Sequence, residues 1–146
     1  MKLVLEYVKK AKVKSWDKEN NIWEGLLVYV GITKEDIQEP SITEKVARKI
    51  VSLRLITDEN GKINYSVSDI NWEVLLISNF TLGGKNSKGN KLDFLQSAWY
   101  QEANDLFDKL VEEVRDYNIQ VKTGFFGENM EVEHQKLGPL TYYLEY

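Results

Sequence analysis

Residues 74–77 read Val-Leu-Leu-Ile, with no polar alternation. A strand with one wet face alternates apolar and polar residues, so an unbroken apolar run this short marks a strand covered on both faces, in the middle of a sheet. Immediately after it the chain turns polar, through Ser78-Asn79-Phe80-Thr81-Leu82, and enters a glycine- and lysine-rich loop at residues 83–91. Polar groups at the end of a buried strand are held rigidly yet reach the surface, which is a good place for chemistry.

The rest of the chain supplies what this strand packs against. Residues 1–10 read as a strand with Leu3, Leu5 and Tyr7 on one face and Val4 and Val8 on the other, residues 13–16 as its hairpin partner, and residues 17–21 as a turn. Residues 25–31, fenced by Gly25 and Gly31, read as a second buried strand. Helices are predicted at residues 33–36 and 41–53, the second opened by a Ser41-x-x-Glu44 capping box and carrying a core stripe of Val46, Ile50 and Leu53 with Ala47 and Val51. Asp58-Glu59-Asn60-Gly61 between residues 55–57 and 63–67 signals a hairpin. In the longest helix, residues 97–117, Trp99, Ala103, Leu106, Phe107, Leu110 and Val114 recur at helical spacing and read as core. Residues 119–124 and 141–146 read as strands, the latter preceded by a sharp break at Gly138-Pro139. The pattern predicts a single α+β domain over residues 1–146, with a mainly antiparallel, curved or barrel-like sheet and two principal helices.

Composition narrows the chemistry. There is no cysteine and one histidine, His134, which removes disulfides, thiolate metal sites and cysteine nucleophiles and leaves no His-based metal site; no cofactor or metal is expected. Apolar runs are too short to span a bilayer, and no secretory leader pattern opens the chain, so a cytoplasmic protein with no membrane partner is expected. A net charge of −4 argues against a general nucleic-acid coat, DNA included, and confines any RNA contact to a local patch.

Lys85, Lys88 and Lys91, beside the polar strand end, form such a patch, although a solvated connection has the same composition. The loop is no P-loop, because Asn90 stands where the lysine belongs. Lys9, Lys10, Lys12 and Lys14 fit a lysine-protected edge strand equally well. His134 has no carboxylate or hydroxyl partner in a sequence motif and reads as a surface or interface residue. Ser78 and Thr81 would lie on opposite faces of a regular strand and meet in one pocket only if the strand bends; neither has a dedicated base. Gly138-Pro139 reads as a turn, or as a place where backbone approaches a ligand.

Ser78-Asn79-Phe80-Thr81-Leu82 resembles the Ser-Gln-Phe-Thr-Leu motif of the D-aminoacyl-tRNA deacylases, and Gly138-Pro139-Leu140-Thr141 resembles that family's Asn-x-Gly-Pro-Val-Thr motif. Gly25-Leu26-Leu27-Val28, Gly31-Ile32, Leu53-Arg54-Leu55 and Thr123-Gly124-x-Phe126 with Met130 fit the blocks between them. Asn79 stands where glutamine is usual, Lys136 where asparagine is usual, Glu6-Tyr7 where Gln-Arg is usual, and Lys91-Leu92-Asp93-Phe94 replaces an Arg-Pro-Ser-Phe block.

The resemblance implies an enzyme that hydrolyses the ester of D-aminoacyl-tRNA, working as a homodimer with its active sites at the interface. It implies a cis Gly138-Pro139 that reaches into the partner's site as a wall against L side chains, and assistance from the RNA's terminal ribose hydroxyl. Backbone amides near Asn79, Phe80 and Thr81 would polarise the ester carbonyl, with Ser78 and Asn79 orienting substrate and Thr81 positioning water or substrate rather than attacking. Thr141 would belong to the binding segment, and the lysine loop would touch the acceptor end. Two alternatives share the motifs: a tRNA- or protein-binding module without useful turnover, and an editing deacylase for glycyl- or L-alanyl-tRNA.

Overall fold

The computed structural model describes residues 1–86 and 89–146. In chain order the elements are β1 (Lys2–Ser15), β2 (Lys18–Ile22), β3 (Gly25–Gly31), α1 (Lys34–Ile37), α2 (Ile42–Ser52), β4 (Ile56–Thr57), β5 (Ile63–Tyr65), α3 (Val67–Ile70), β6 (Glu73–Ser78), a 3₁₀ turn (Phe80–Gly83), α4 (Tyr100–Arg115), β7 (Val121–Thr123) and β8 (Glu131–Glu145). The fold is α+β, with a nearly closed barrel-like sheet in the order β2-β1-β3-β6-β7 and β8 on the other side of β1. A small β4-β5 hairpin stands apart. Among the described residues, no helix is long and apolar enough to cross a membrane.

β6 lies inside the sheet, parallel to β3 on one side and to β7 on the other. Each parallel pair is joined by a long crossover containing helix, as parallel pairing requires. Its side chains alternate between two cores. Val74 and Leu76 join the larger one, beneath α2 and α4, while Leu75 and Ile77 join a second formed with Val8, Val13, Ile22 and Leu27. That is why the run shows no polar alternation. At Gly25 a Cβ would sit 2.0 Å from the carbonyl oxygen of Glu73, so glycine is what lets β3 close against the start of β6.

Several local expectations change. Residues 13–16 do not fold back on β1. The strand runs on to Ser15, the turn is Trp16-Asp17 with Trp16 at φ 53°, and residues 18–22 form the partner strand rather than a turn. β1 is not an edge, since β8 pairs along nearly its whole length, and Lys12 forms an ion pair with Glu133 on that strand. Ser41 does not cap α2; its φ and ψ (−103°, 10°) turn the hydroxyl toward Glu39. Trp99 is 71% exposed and lies before α4, while Ala103, Phe107, Leu110 and Val114 are buried as the helical spacing predicts. Gly138-Pro139 does not end a strand: β8 runs through it as a bulge.

Candidate active site

Where β6 ends, the ladder and a tight turn share the backbone donors. Asn79 N–H still bonds Val30 O at 2.8 Å, in sheet register. Asn79 then opens the 3₁₀ turn, and its Oδ1 accepts from Thr81 N–H at 3.2 Å and from the Thr81 hydroxyl. Asn79 O accepts from Leu82 N–H at 3.2 Å. Of the three amides at Asn79, Phe80 and Thr81, two are therefore already engaged, Asn79 in the sheet and Thr81 in the turn. Phe80 N–H occupies the first helical position, where no intrahelical partner exists, and no acceptor among the described residues takes it. The Phe80 carbonyl accepts from Ser97 Oγ at 3.1 Å, which ties the turn to the segment before α4.

A pocket of about 300 Å³ opens beside this turn, with Ser78, Asn79 and Phe80 on one side and Tyr100, Phe126 and Met130 on the other. Tyr100 packs edge-on against Phe126 with ring centroids 5.3 Å apart, and Phe126 leans on Phe107 of α4. The lining combines apolar and aromatic surface with a few polar side chains, which suits a ligand with a side chain and a polar head. Glu128 is the one carboxylate lining the pocket among the described residues. Lys18 and Ser15 bond it and hold it below the ordinary carboxylate range. Among the described residues, no nucleophile–base pair lines the pocket.

Ser78, Asn79 and Phe80 therefore meet in one place. Thr81 is exposed just outside it, its hydroxyl donated to Asn79. Lys85 is exposed at the base of the following loop, where its backbone pairs with Asp93, and Lys91 is exposed further on. Lys88 lies outside the described residues.

Gly138, Pro139 and Thr141 are not brought to this pocket within one chain. They lie on β8, separated from β6 by β1 and β3, three strand spacings or roughly 14 Å across the sheet. The Gly138–Pro139 peptide is cis, and Gly138 sits at φ 122°, where an added Cβ would meet Leu140 N at 2.4 Å.

Beside that segment Glu6 accepts from Lys136 Nζ at 2.9 Å and Thr141 Oγ1 at 3.0 Å, and lies 3.1 Å from His134 Nε2. His134 does have a carboxylate partner, supplied across the β1–β8 ladder and so invisible as a motif. Burial pushes the Glu6 carboxyl up, but the bonds from Lys136 and Thr141 and the charges of Lys136 and His134 outweigh it and hold it below its ordinary value.

Sequence reasoning did not assign Ser97, Tyr100, Phe126 or Met130 to the site. Phe126 and Met130 fell in a matched block, and Tyr100 starts the longest helix, but only the tertiary packing shows that they face Phe80.

Taken together, a pocket lined by a residue with an unused backbone donor and holding, among the described residues, no nucleophile–base pair suits a reaction whose substrate is already activated. The family model for D-Tyr-tRNA(Tyr) deacylase matches residues 4–145. Among curated relatives, the D-aminoacyl-tRNA deacylase of Thermosipho africanus (strain TCF52B) is 40% identical over 99% of this chain and 97% of its own length. That of Staphylococcus haemolyticus (strain JCSC1435) is 42% identical over 97% and 93%. A solved structure described as a c-Myc DNA unwinding element binding protein superposes with a TM-score of 0.89 at 36% identity, covering 100% of this chain and 99% of that one. One described as a probable eukaryotic D-amino acid tRNA deacylase shares the fold, with a TM-score of 0.85 at 17% identity, covering 98% and 97%. The chain belongs to the D-Tyr-tRNA(Tyr) deacylase family.

Proposed function

We propose that this chain, acting as one domain, hydrolyses the ester of D-aminoacyl-tRNA, D-tyrosyl-tRNA among them, to free D-amino acid and tRNA. It does so as a cytoplasmic homodimer, removing D-residues before translation uses them. The observation that carries the reading is the unused N–H of Phe80, a residue that lines a pocket with no nucleophile–base pair among the described residues. An aminoacyl ester is activated, so water can attack it once the carbonyl is polarised and correctly oriented.

In this reading Phe80 N–H donates to the carbonyl oxygen as it becomes an oxyanion. Asn79 and Ser78 orient the amino acid, and the Tyr100–Phe126 wall takes its side chain. Thr81 holds the Asn79 amide in place rather than attacking. The terminal ribose hydroxyl of the RNA assists the attacking water. Lys85, Lys88 and Lys91 are the side chains assigned to an acceptor-stem phosphate, and the exposure of Lys85 and Lys91 supports that role.

Gly138 and Pro139 reach the pocket of a second copy, not their own. What supports this is their exposure on β8, far from the pocket of the same chain, beside the exposed Tyr142 and Tyr143. Placed against a partner's pocket, this backbone leaves no room for an L side chain, and rejection by clash needs no polar group.

Mixed dimers test the arrangement. Gly138→Ala displaces the wall and lowers the D-over-L preference of a homodimer. Co-assembly with excess Phe80→Pro subunits, whose own pockets lack the donor, restores the preference, because every live pocket then faces an intact wall. A preference that stays low in the mixed dimers contradicts the shared site.

A further inference from the structure

Outside the pocket, three side chains converge on one half-buried carboxylate. The Glu6 side chain is 13% exposed, with Lys136, Thr141 and His134 all within 3.1 Å. Lys136 also bonds the Thr141 hydroxyl.

These contacts coincide with a feature of the backbone. In the β1–β8 ladder Glu6 pairs with Thr141 and Val8 with Lys136. Tyr7 alone therefore stands opposite residues 137–140, and the surplus residues form the bulge that carries Gly138 and Pro139. Lys136 and Thr141 are the two feet of that bulge, and Glu6 is bonded to both. A loop tied at both feet by one withdrawn carboxylate has a fixed height above the sheet.

Exposed ion pairs contribute little, but this carboxylate is largely removed from water and loses its compensation if a partner is deleted. Positions 6 and 136 are also two of those at which the sequence departs from the family motifs, where glutamine and asparagine are usual. The structure places these two residues in direct contact, as an ion pair.

We propose that Glu6 is a positioning residue for chiral selection: it touches no substrate, and acts by stapling the two feet of the Gly138-Pro139 bulge through Lys136 and Thr141, with Glu6 and Lys136 functioning only as a matched pair. The inference rests on the deacylase reading and adds to it the residues that fix the wall.

The test compares wild type, Glu6→Gln, Lys136→Asn and the double variant on D- and L-tyrosyl-tRNA, with urea unfolding of each. Each single change should lower the ratio of D to L kcat/KM by about tenfold, and the double variant should lose less than the product of the two, because it restores a neutral pair. A general loosening of the fold lowers both rates together and leaves the ratio unchanged, so an unchanged ratio overturns the proposal, as do effects that multiply. If the wild type hydrolyses neither ester, the deacylase reading fails on its own. The staple is then judged by unfolding: coupled losses of stability support it, and additive losses overturn it.

Discussion

Phe80 carries the chemistry through its backbone and not its side chain, and this can be separated experimentally. Proline suits the first helical position, and the preceding Asn79, at φ −142° and ψ 90°, is already outside the α region that a following proline disfavours. Phe80→Pro should therefore fold while removing the donor. Phe80→Ala removes the ring and keeps the N–H. Loss of one oxyanion donor costs about 10²–10³ in kcat, so the proline variant should fall below the alanine variant by that factor in single-turnover hydrolysis of D-tyrosyl-tRNA. Equal rates would remove Phe80 N–H from the mechanism. Glu6 makes a second prediction at this scale. Its carboxyl titrates below its ordinary 4.5 in the folded protein, so folding favours the ionised form. The stability it contributes is present above that ordinary value and is lost as pH falls through the lowered one. The gap in unfolding free energy between wild type and Glu6→Gln should be open at pH 7 and shrink in acid. A gap that persists in acid contradicts the assigned contacts.

The elements show which parts of the chain speak for themselves. β3 and β6 were legible because a strand buried on both faces has no polar alternation, and the β4–β5 hairpin because Asp58-Glu59-Asn60-Gly61 favours a tight turn. The spacing of Ala103, Phe107, Leu110 and Val114 located the buried face of α4, but extending it to Trp99 put an exposed residue in the core. Periodicity does not say where the helix starts, and Trp99 precedes its first turn. This gives a direct check by thermal unfolding: Leu110→Ala should cost about 2–5 kcal/mol, and Trp99→Ala about 0.5 kcal/mol or less. A large loss at Trp99 would mean that it packs against something in the folded protein. β8 was the hardest element to read. Gly138-Pro139 looks like a terminator, because nothing local reveals that β1 pairs on either side of it and absorbs the extra residues as a bulge. For the same reason the partners of His134 and Lys136 could not be found locally: Glu6 lies 128 and 130 positions away in the chain.

For the whole molecule, the pocket and the proposed wall are built on different parts of one sheet, and β1, which runs between β3 and β8, holds them apart. The sequence motifs named Ser78, Asn79, Phe80 and Thr81 as one unit; the pocket gathers the first three and leaves Thr81 outside. Its opposite wall, from Tyr100, Phe126 and Met130, depends on how α4 and the β7–β8 connection pack and leaves no short motif. The central claim is that this scaffold selects D-aminoacyl esters by shape and hydrolyses them without a nucleophilic side chain. The most direct test is a side-by-side time course of D- and L-tyrosyl-tRNA hydrolysis by the wild-type protein. Rejection by a clash worth about 1–3 kcal/mol predicts that the D-ester is cleaved about five- to 150-fold faster than the L-ester. Cleavage of both esters at equal rates, or of neither, would contradict it.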